Sequence, residues 1–250
     1  MPKPPMQKTP MQNTKYKRVL LKVSGEGLCR AGGFGIDGTA LDRIAGQIRE
    51  VTATGVQLAI VPGGGNFLRG TTLAKDTAIQ PATAHYMGML STVLNALALQ
   101  DTLERLDIKT RVLSAIAIDR VCEKFIRRRC IRHLEKGRVV ILASGTGDPF
   151  VTTDTAAALR AAELNADVIL KATKVDGIYS DDPEKVPDAT RYTRLTYDQV
   201  IDQRLEVMDF GAINMCRENG VAIVVFTLRE DGNMKRVVLG EDVGTTITDA

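Results

Sequence analysis

A single lysine interrupts the first apolar segment of the chain, RVLLKV, and is the first residue whose type and position suggest chemistry. Lys22 and Ser24 are two positions apart, so both side chains project to the same face of an extended strand. A strand buried on both faces is normally apolar throughout, so a lysine within it needs a reason. Two interpretations stay open at this point: the ammonium group extends to water at the sheet edge, or it binds a phosphate.

Two glycine-rich stretches follow later apolar runs and could hold an anion. VPGGGNFLRG places three glycines at residues 63–65, with Arg69 shortly after them. GTGDPFVTTD begins at Gly145 and places three threonines before a helical pattern, where unpaired amides and the helix dipole attract phosphate. We expect the missing glycine side chains to let phosphates approach backbone amides. Ordinary capping by threonine is the alternative, but it accounts for one threonine rather than three.

The elements that must position these residues alternate along the chain. Apolar runs predict strands at residues 17–23, 56–61, 108–115, 138–143, 167–172 and 221–226, with a last β segment at 244–247. Helical periodicity predicts helices at residues 37–54, 83–106, 123–135 and 152–164, with two short helices before residue 221. Such alternation is typical of a mainly parallel sheet covered by helices on both faces. Ligands of these sheets bind at the carboxyl ends of the strands, where the glycine-rich stretches stand.

Composition narrows the class of protein without identifying a function. The 250 residues are 44% hydrophobic and 25% charged, as in ordinary globular proteins. The net charge of +3 gives no case for binding nucleic acid or an anionic membrane, and no apolar run is long enough to span a bilayer. Four scattered cysteines and two histidines give no zinc-site pattern, and the sparse cysteines fit a reducing cytoplasm.

The first fifteen residues, MPKPPMQKTPMQNTK, are rich in proline, lysine and glutamine and have no apolar core of a secretory signal. We expect a disordered tail over residues 1–15. No internal repeat or linker is visible beyond it, so we expect residues 16–250 to form a single domain.

Other nucleotide-binding motifs are missing or misplaced. The chain has no Walker A loop and no protein-kinase catalytic loop. GFGIDG at residues 33–38 matches G-x-G-x-x-G, but it does not directly follow a strand, so we do not interpret it as a dinucleotide site. The basic run at residues 127–129 invites a nucleic-acid interpretation. An apolar stripe in the same helix, formed by Ile126, Cys130, Ile131 and Leu134, instead predicts that the arginines face solvent or another subunit.

Taken together, the motifs resemble those of bacterial-type uridylate kinases (UMP kinases) of the amino-acid-kinase superfamily. The matching segments follow the family's order over residues 16–246 and are LLKVSGE, GFGID, GGGNFLRG, MGML, GTGDPFVTTD, LKATKVDGIY and DP at residues 182–183. The resemblance implies a three-layer α/β/α sandwich with a mainly parallel central sheet. It implies transfer of the γ-phosphoryl group of ATP to UMP with Mg²⁺, giving UDP and ADP in pyrimidine nucleotide biosynthesis. A cytoplasmic homohexamer, activated by GTP and inhibited by UTP, is implied as well.

The resemblance also implies roles for individual residues. Contacts with ATP are implied for Lys22, Ser24, Gly25, Gly65, Arg69, Thr173, Tyr179 and Asp182. Contacts with UMP are implied for Gly64, Thr146, Gly147, Asp148, Pro149, Phe150, Val151, Thr152 and Thr153. The response to GTP is linked to Arg30, Ala31, Gly32, Gly33, Phe34 and Gly35.

Three residues are candidates for catalysis. Phosphoryl transfer depends on alignment and on neutralising charge, and Lys22 and Arg69 can offset the charge that builds on the transferred group. Asp154 either positions Lys22 or the metal, or it caps its helix, and Asp209 is a weaker candidate for the same role. We expect Mg²⁺ to come with ATP and assign no metal site to the protein.

Two positions depart from the family pattern. His85 stands where an aspartate that binds UMP is usual, and we do not transfer that role to it, because a packed histidine is an equal alternative. Asp148 replaces the usual asparagine, and its negative charge beside a phosphate-binding loop predicts weaker binding of UMP.

Two other functions stay open. A related kinase could act on a carboxylate or carbamate such as acetylglutamate or aspartate, but it should lack the GTGDPFVTTD loop. A non-catalytic nucleotide-binding module on the same fold is the other alternative, and the intact Lys22, Arg69 and Asp154 argue against it.

Overall fold

The computed structural model describes residues 14–30, 32–181, 185–186 and 188–249. Nearly all of the expected tail, and the predicted site residues Ala31 and Asp182, lie outside the described residues. Within them, the central element is a nine-stranded sheet. In chain order its strands are β1 (Arg18–Val23), β2 (Gln57–Pro62), β3 (Thr110–Ser114), β4 (Glu123–Lys124), β5 (Val139–Ala143) and β6 (Val168–Thr173). After a separate ribbon of β7 (Ile178–Tyr179) and β8 (Arg191–Tyr192) come β9 (Arg194–Leu195), β10 (Ala222–Thr227) and β11 (Thr245–Ile247).

The strands of the sheet lie in the order β4-β3-β5-β2-β1-β6-β10-β11-β9. β10 and β11 pair antiparallel, and the other neighbouring strands of this sheet pair parallel. The mainly parallel sheet predicted from the sequence is therefore confirmed. β1 lies between β2 and β6, so the residues that follow these three strands share one edge of the sheet.

Helices cover both faces because residues along each central strand alternate between two cores. Val19, Leu21 and Val23 of β1 pack in one core with α1 (Gly38–Thr52), α3 (Pro81–Arg105) and α8 (Asn233–Leu239). Leu20 packs in the other core with α4 (Arg127–Glu135), α5 (Thr153–Leu164), α6 (Tyr197–Asp202) and α7 (Phe210–Glu218). The three-layer α/β/α architecture is confirmed. A short α2 (Gly70–Asp76) and a 3-10 helix (Gly25–Leu28) lie in the connections.

The helix predicted at residues 123–135 is wrong at its start. Glu123 and Lys124 form β4, which pairs with β3 at the edge of the sheet, and α4 begins only at Arg127. Backbone pairing with an edge strand outweighs helical periodicity over these few residues. Of the predicted apolar stripe, Cys130 and Leu134 are buried and Ile131 is partly buried, while the arginines of α4 at positions 127–129 are exposed. The prediction is wrong for Ile126, which is 46% exposed because it precedes the helix as its N-cap.

None of the helices in the described part of the chain is both long and apolar enough to cross a membrane.

A glycine fixes how the chain enters β11 beside β10. Gly244 has a φ of +76°, and a Cβ at this position would overlap the backbone carbonyl oxygen of Val225. Gly220, just after α7, has a similar φ of +62° but has no heavy atom within 4 Å of an added Cβ. The two glycines share the backbone conformation and differ in the space around them.

We predict that Gly244→Ala lowers the free energy of unfolding by roughly 3 kcal/mol or more, because strain and a backbone overlap add together. Gly220→Ala is the matched control and should lower it by about 1 kcal/mol, the strain alone. Urea unfolding of both variants measures the difference. Equal losses would show that the overlap at Gly244 relaxes without consequence.

Candidate active site

Two neighbouring strands at the centre of the sheet bring two lysines side by side. Lys22 of β1 and Lys171 of β6 are register partners. Asp154, in the first turn of α5, lies 2.9 Å from both ammonium nitrogens, with Oδ1 facing Lys22 and Oδ2 facing Lys171. The three side chains are only 11–17% exposed. One buried carboxylate therefore holds two ammonium groups near the carboxyl ends of the central strands.

The charges of this triad set the protonation of Asp154. Burial alone would raise the pKa of its carboxyl, but the two lysines outweigh burial and hold the pKa below its ordinary value. Asp154 is therefore ionised at neutral pH. Burial lowers the pKa of Lys171, and the nearby charge of Lys22 acts in the same direction, while Asp154 opposes both.

The side chain of Asp154 does not cap α5. Thr152 is the N-cap, and its hydroxyl oxygen accepts hydrogen bonds from the backbone amides of Asp154 and Thr155, both at 3.1 Å. The helix start is thus satisfied without the Asp154 carboxylate, which is left to pair with the lysines.

Asp209 joins the starts of two helices rather than contacting the lysines directly. It caps α7 by accepting the amide of Ala212 at 2.9 Å. Its carboxylate also accepts the hydroxyl groups of Thr152 and Thr155 at the start of α5. Just before it in the chain, the carbonyl oxygen of Val207 accepts a hydrogen bond from Lys171 Nζ. Asp209, the weaker candidate for the role of Asp154, therefore supports the start of the helix that carries Asp154.

The glycine triplet after β2 serves packing at two of its three positions. Gly63 and Gly64 are buried, and Gly65 is exposed. A Cβ at Gly64 would lie 2.7 Å from the carbonyl oxygen of Gly88 in α3, and a Cβ at Gly63 would lie 2.9 Å from the amide nitrogen of Gly25. Packing therefore accounts for the missing side chains at Gly63 and Gly64, and the contacts of Gly64 and Gly65 with nucleotides stay predictions. At Gly63 and Gly64 the missing side chain admits a neighbouring backbone, and only Gly65 is open to solvent.

A cavity of about 700 Å³ lies beside the two lysines, and its size is ordinary for a small-molecule site. Lys22, Ser24 and Thr173 from the predicted ATP set line it. Other described members of that set, Gly25, Gly65, Arg69 and Tyr179, are not among its lining residues. Tyr179 lies in the β7–β8 ribbon, where its hydroxyl donates to Asp176 at 2.7 Å.

Arg69 lies at the start of α2 in an ion cluster at the surface. Its guanidinium pairs with one carboxylate oxygen of Glu26, and Lys174 Nζ lies 2.7 Å from the other oxygen. Glu26 and Lys174 both line the cavity. Arg69 and Lys174 are 62% and 67% exposed, so they can exchange partners readily.

The loop predicted to bind UMP, residues 146–153, connects β5 to α5 and ends one residue before Asp154. Phe150 has a φ of +66° and is 67% exposed. Its ring centroid lies 4.8 Å from that of His85 on α3. His85, which replaces the usual aspartate, therefore lies against this loop. Asp148 is exposed, and its backbone amide donates to the hydroxyl of Thr146 at 3.2 Å.

The segment linked to the GTP response follows the 3-10 helix. Arg30 Nε donates to Asp37 at 2.7 Å, and that contact is the main reason why the pKa of Asp37 lies below its ordinary value. Phe34 is 80% exposed, and its ring meets that of Phe67 edge to face at 5.8 Å. Gly35 is buried against the glycine-rich loop.

Lys171 and Glu26 are site residues that the sequence interpretation missed. The signal for Lys171 was present, since it interrupts VILKAT in the way that Lys22 interrupts RVLLKV. Glu26 gave no comparable signal, because a glutamate in a loop is ordinary.

Comparison with known proteins places these features in a family. The model of the amino acid kinase family matches residues 17–227. A solved UMP kinase from Bacillus anthracis is 39% identical, with a TM-score of 0.91 over 94% of this chain and 96% of that one. A UMP kinase from Ureaplasma parvum is 34% identical, with a TM-score of 0.88 over 94% and 99%. A uridylate kinase from Archaeoglobus fulgidus is 27% identical, with a TM-score of 0.71 over 92% and 99%. The chain belongs to the amino acid kinase family.

Proposed function

We propose that the protein is a UMP kinase, which transfers the γ-phosphoryl group of ATP to UMP and gives UDP and ADP in pyrimidine nucleotide synthesis. The observation that carries the proposal is the buried Lys22–Asp154–Lys171 triad between a nucleotide-sized cavity and the start of α5. The similarity to two bacterial UMP kinases over 94% of the chain supports the choice of acceptor.

The triad fits the needs of phosphoryl transfer. Negative charge spreads over the oxygens of the group in flight, and fixed cations at that place lower the barrier. Asp154 holds Lys22 and Lys171 in place before the substrates bind, so little reorganisation is needed during the reaction. In this role Asp154 positions the two lysines.

The acceptor side is assigned to the loop at residues 146–153. It ends at the N-terminus of α5, where the positive end of the helix dipole favours the phosphate of a monophosphate. Phe150 offers an exposed ring to a base, and His85 lies beside it. We propose that an acceptor phosphate bound there lies near Asp154 and the two lysines with which Asp154 pairs.

Mg²⁺ is proposed to arrive with ATP rather than to occupy a protein cage. Both carboxylate oxygens of Asp154 face lysines, which leaves this group a poor metal ligand. No group of three or more acidic, histidine or cysteine side chains suited to a metal occurs in the described ranges. The ion neutralises phosphate charge as part of the nucleotide that it accompanies.

We also propose that the enzyme is a cytoplasmic homohexamer, activated by GTP and inhibited by UTP. Support for self-association comes from α3, which exposes Tyr86, Met87, Leu90 and Leu94 while it buries Ser91, Thr92 and Asn95. Residues 77–100 contain no Asp, Glu, Lys or Arg, so two copies of this helix can pack together without like-charge repulsion.

The proposed reaction requires both ATP and UMP. Release of ADP from ATP should require UMP and should be much slower with CMP, acetylglutamate or aspartate. Lys22→Ala and Lys171→Ala should each lower kcat by roughly 100-fold or more, with little change in UMP affinity, because they remove charge stabilisation of the transition state.

Lys136→Ala is the matched control, since Lys136 is an exposed lysine at the end of α4, and it should keep the unsubstituted kcat. Faster turnover with acetylglutamate than with UMP would reject the proposed acceptor. A Lys22→Ala variant with near-normal kcat would reject the role of the triad.

Asp148 adds a negative charge to the loop proposed to bind UMP. Asp148→Asn should tighten UMP binding by roughly two- to fivefold, since an exposed charge is worth about 1 kcal/mol or less. Isothermal titration with UMP measures the change, and Asp101→Asn, an exposed carboxylate on α3, is the control. No gain in affinity would count against repulsion by Asp148.

The exposed apolar face of α3 is the proposed contact between copies of the chain. Leu90→Glu should shift sedimentation toward smaller assemblies, because paired copies would bury the added charges. Ala53→Glu adds the same charge at the exposed end of α1 and should leave the assembly unchanged. If Leu90→Glu sediments like the unsubstituted protein, α3 is not the contact.

A further inference from the structure

Two buried asparagines form a closed pair of amides beneath the glycine-rich loop. Nδ2 of Asn66 donates to Oδ1 of Asn95 at 2.9 Å, and Nδ2 of Asn95 donates to Oδ1 of Asn66 at 2.7 Å. The remaining amide protons are also used. Asn66 donates to the carbonyl of Gly35 and Asn95 to that of Gly63, both at 2.7 Å. Asn66 is 2% exposed and Asn95 is fully buried, so neither side chain can touch a nucleotide.

This amide pair ties together three loops that meet at the site. Asn95, on α3, holds the carbonyl of Gly63 at the start of the glycine-rich loop. The backbone of Asn66 accepts the amide of Gly35 at 2.8 Å, so the two segments are joined by bonds in both directions. Asn66 also lies beneath Gly25, where a Cβ would be only 2.5 Å from Oδ1 of Asn66. The loop after β1, the loop after β2 and the segment that ends at Gly35 thus share one support.

A polar pair at this place is not the simplest way to fill space. Buried amides lose their hydration, and two apolar side chains would fill the same volume without that loss. Unlike apolar contacts, amide hydrogen bonds are directional. Each one therefore holds a backbone carbonyl within a fraction of an ångström of one position. Transfer between two bound nucleotides depends on alignment at that scale.

We propose that Asn66 and Asn95 are positioning residues for phosphoryl transfer, which set the glycine-rich loop against the loop after β1. They also connect the segment that ends at Gly35 to the glycine-rich loop in one rigid unit. A conformational change in that segment therefore moves the loop beside Arg69. The inference rests on the proposed kinase activity.

The test compares Asn95→Leu with Leu103→Ala. Asn95→Leu keeps the number of side-chain heavy atoms and removes both N–H donors and the acceptor oxygen of the amide. Leu103→Ala leaves a cavity in the same helix, two turns further on, and serves as a control for lost stability. We expect Asn95→Leu to lower kcat about tenfold or more, with the Kd for UMP changed by less than about threefold. Leu103→Ala should keep the kcat of the unsubstituted protein when it is assayed well below its unfolding temperature.

Hydrogen exchange gives a second readout. The amide of Gly35, bonded to Asn66, should exchange faster in Asn95→Leu than in Leu103→Ala. If Asn95→Leu does not fold, Asn95→Asp, which has nearly the same shape and lacks the same donors, is measured in its place.

The outcomes separate the two claims. No UMP-dependent ADP release by the unsubstituted protein overturns both the function and this inference. An active protein whose Asn95 variant keeps its kcat, or loses it only to the extent that Leu103→Ala does, overturns the positioning role alone. Unchanged exchange at Gly35 overturns the link between the segments.

Discussion

Two lysines on adjacent central strands can stay charged and buried only because one carboxylate stands between them. Without Asp154, Lys22 and Lys171 would repel each other in a place with little water. Asp154 in turn depends on the start of α5, which Thr152 caps and Asp209 braces. Because Asp209 also begins α7, the positions of two helices follow from the need to hold this carboxylate in place.

Helix α3 departs from the usual distribution of polar and apolar residues, because it buries polar side chains and exposes large apolar ones. Its inward face carries Thr92 and Asn95, whose side chains bond to backbone groups of the loops. The same face also carries apolar residues that pack in the core, namely Val93, Ala96, Leu99 and Leu103. Its outward face carries large apolar residues. Contacts with the loops, as well as burial of apolar area, therefore determine where this helix lies.

The sequence was sufficient to predict the sheet, the two helical layers and the types of the main site residues. Alternation of long apolar and helical segments predicts the architecture, and Lys22 and Asp154 stand out by type and place. The role of Lys171 becomes visible only when β6 pairs with β1 and brings it beside Lys22. The pairing of Asn66 with Asn95 could not be predicted, because residues so far apart in sequence meet only through the crossing of α3 over the sheet. Strands of two residues, such as β4 and β9, are too short for periodicity to reveal.

The ion cluster around Glu26 affects how tightly the donor nucleotide can bind. Arg69 and Lys174 already have an anion between them, so a phosphate that recruits either cation must displace a carboxylate. The binding free energy of that phosphate is then the difference between its own interaction with the cation and the interaction with Glu26 that it replaces. Selection at position 26 could therefore adjust how readily the nucleotide leaves, while the residues that contact it stay the same.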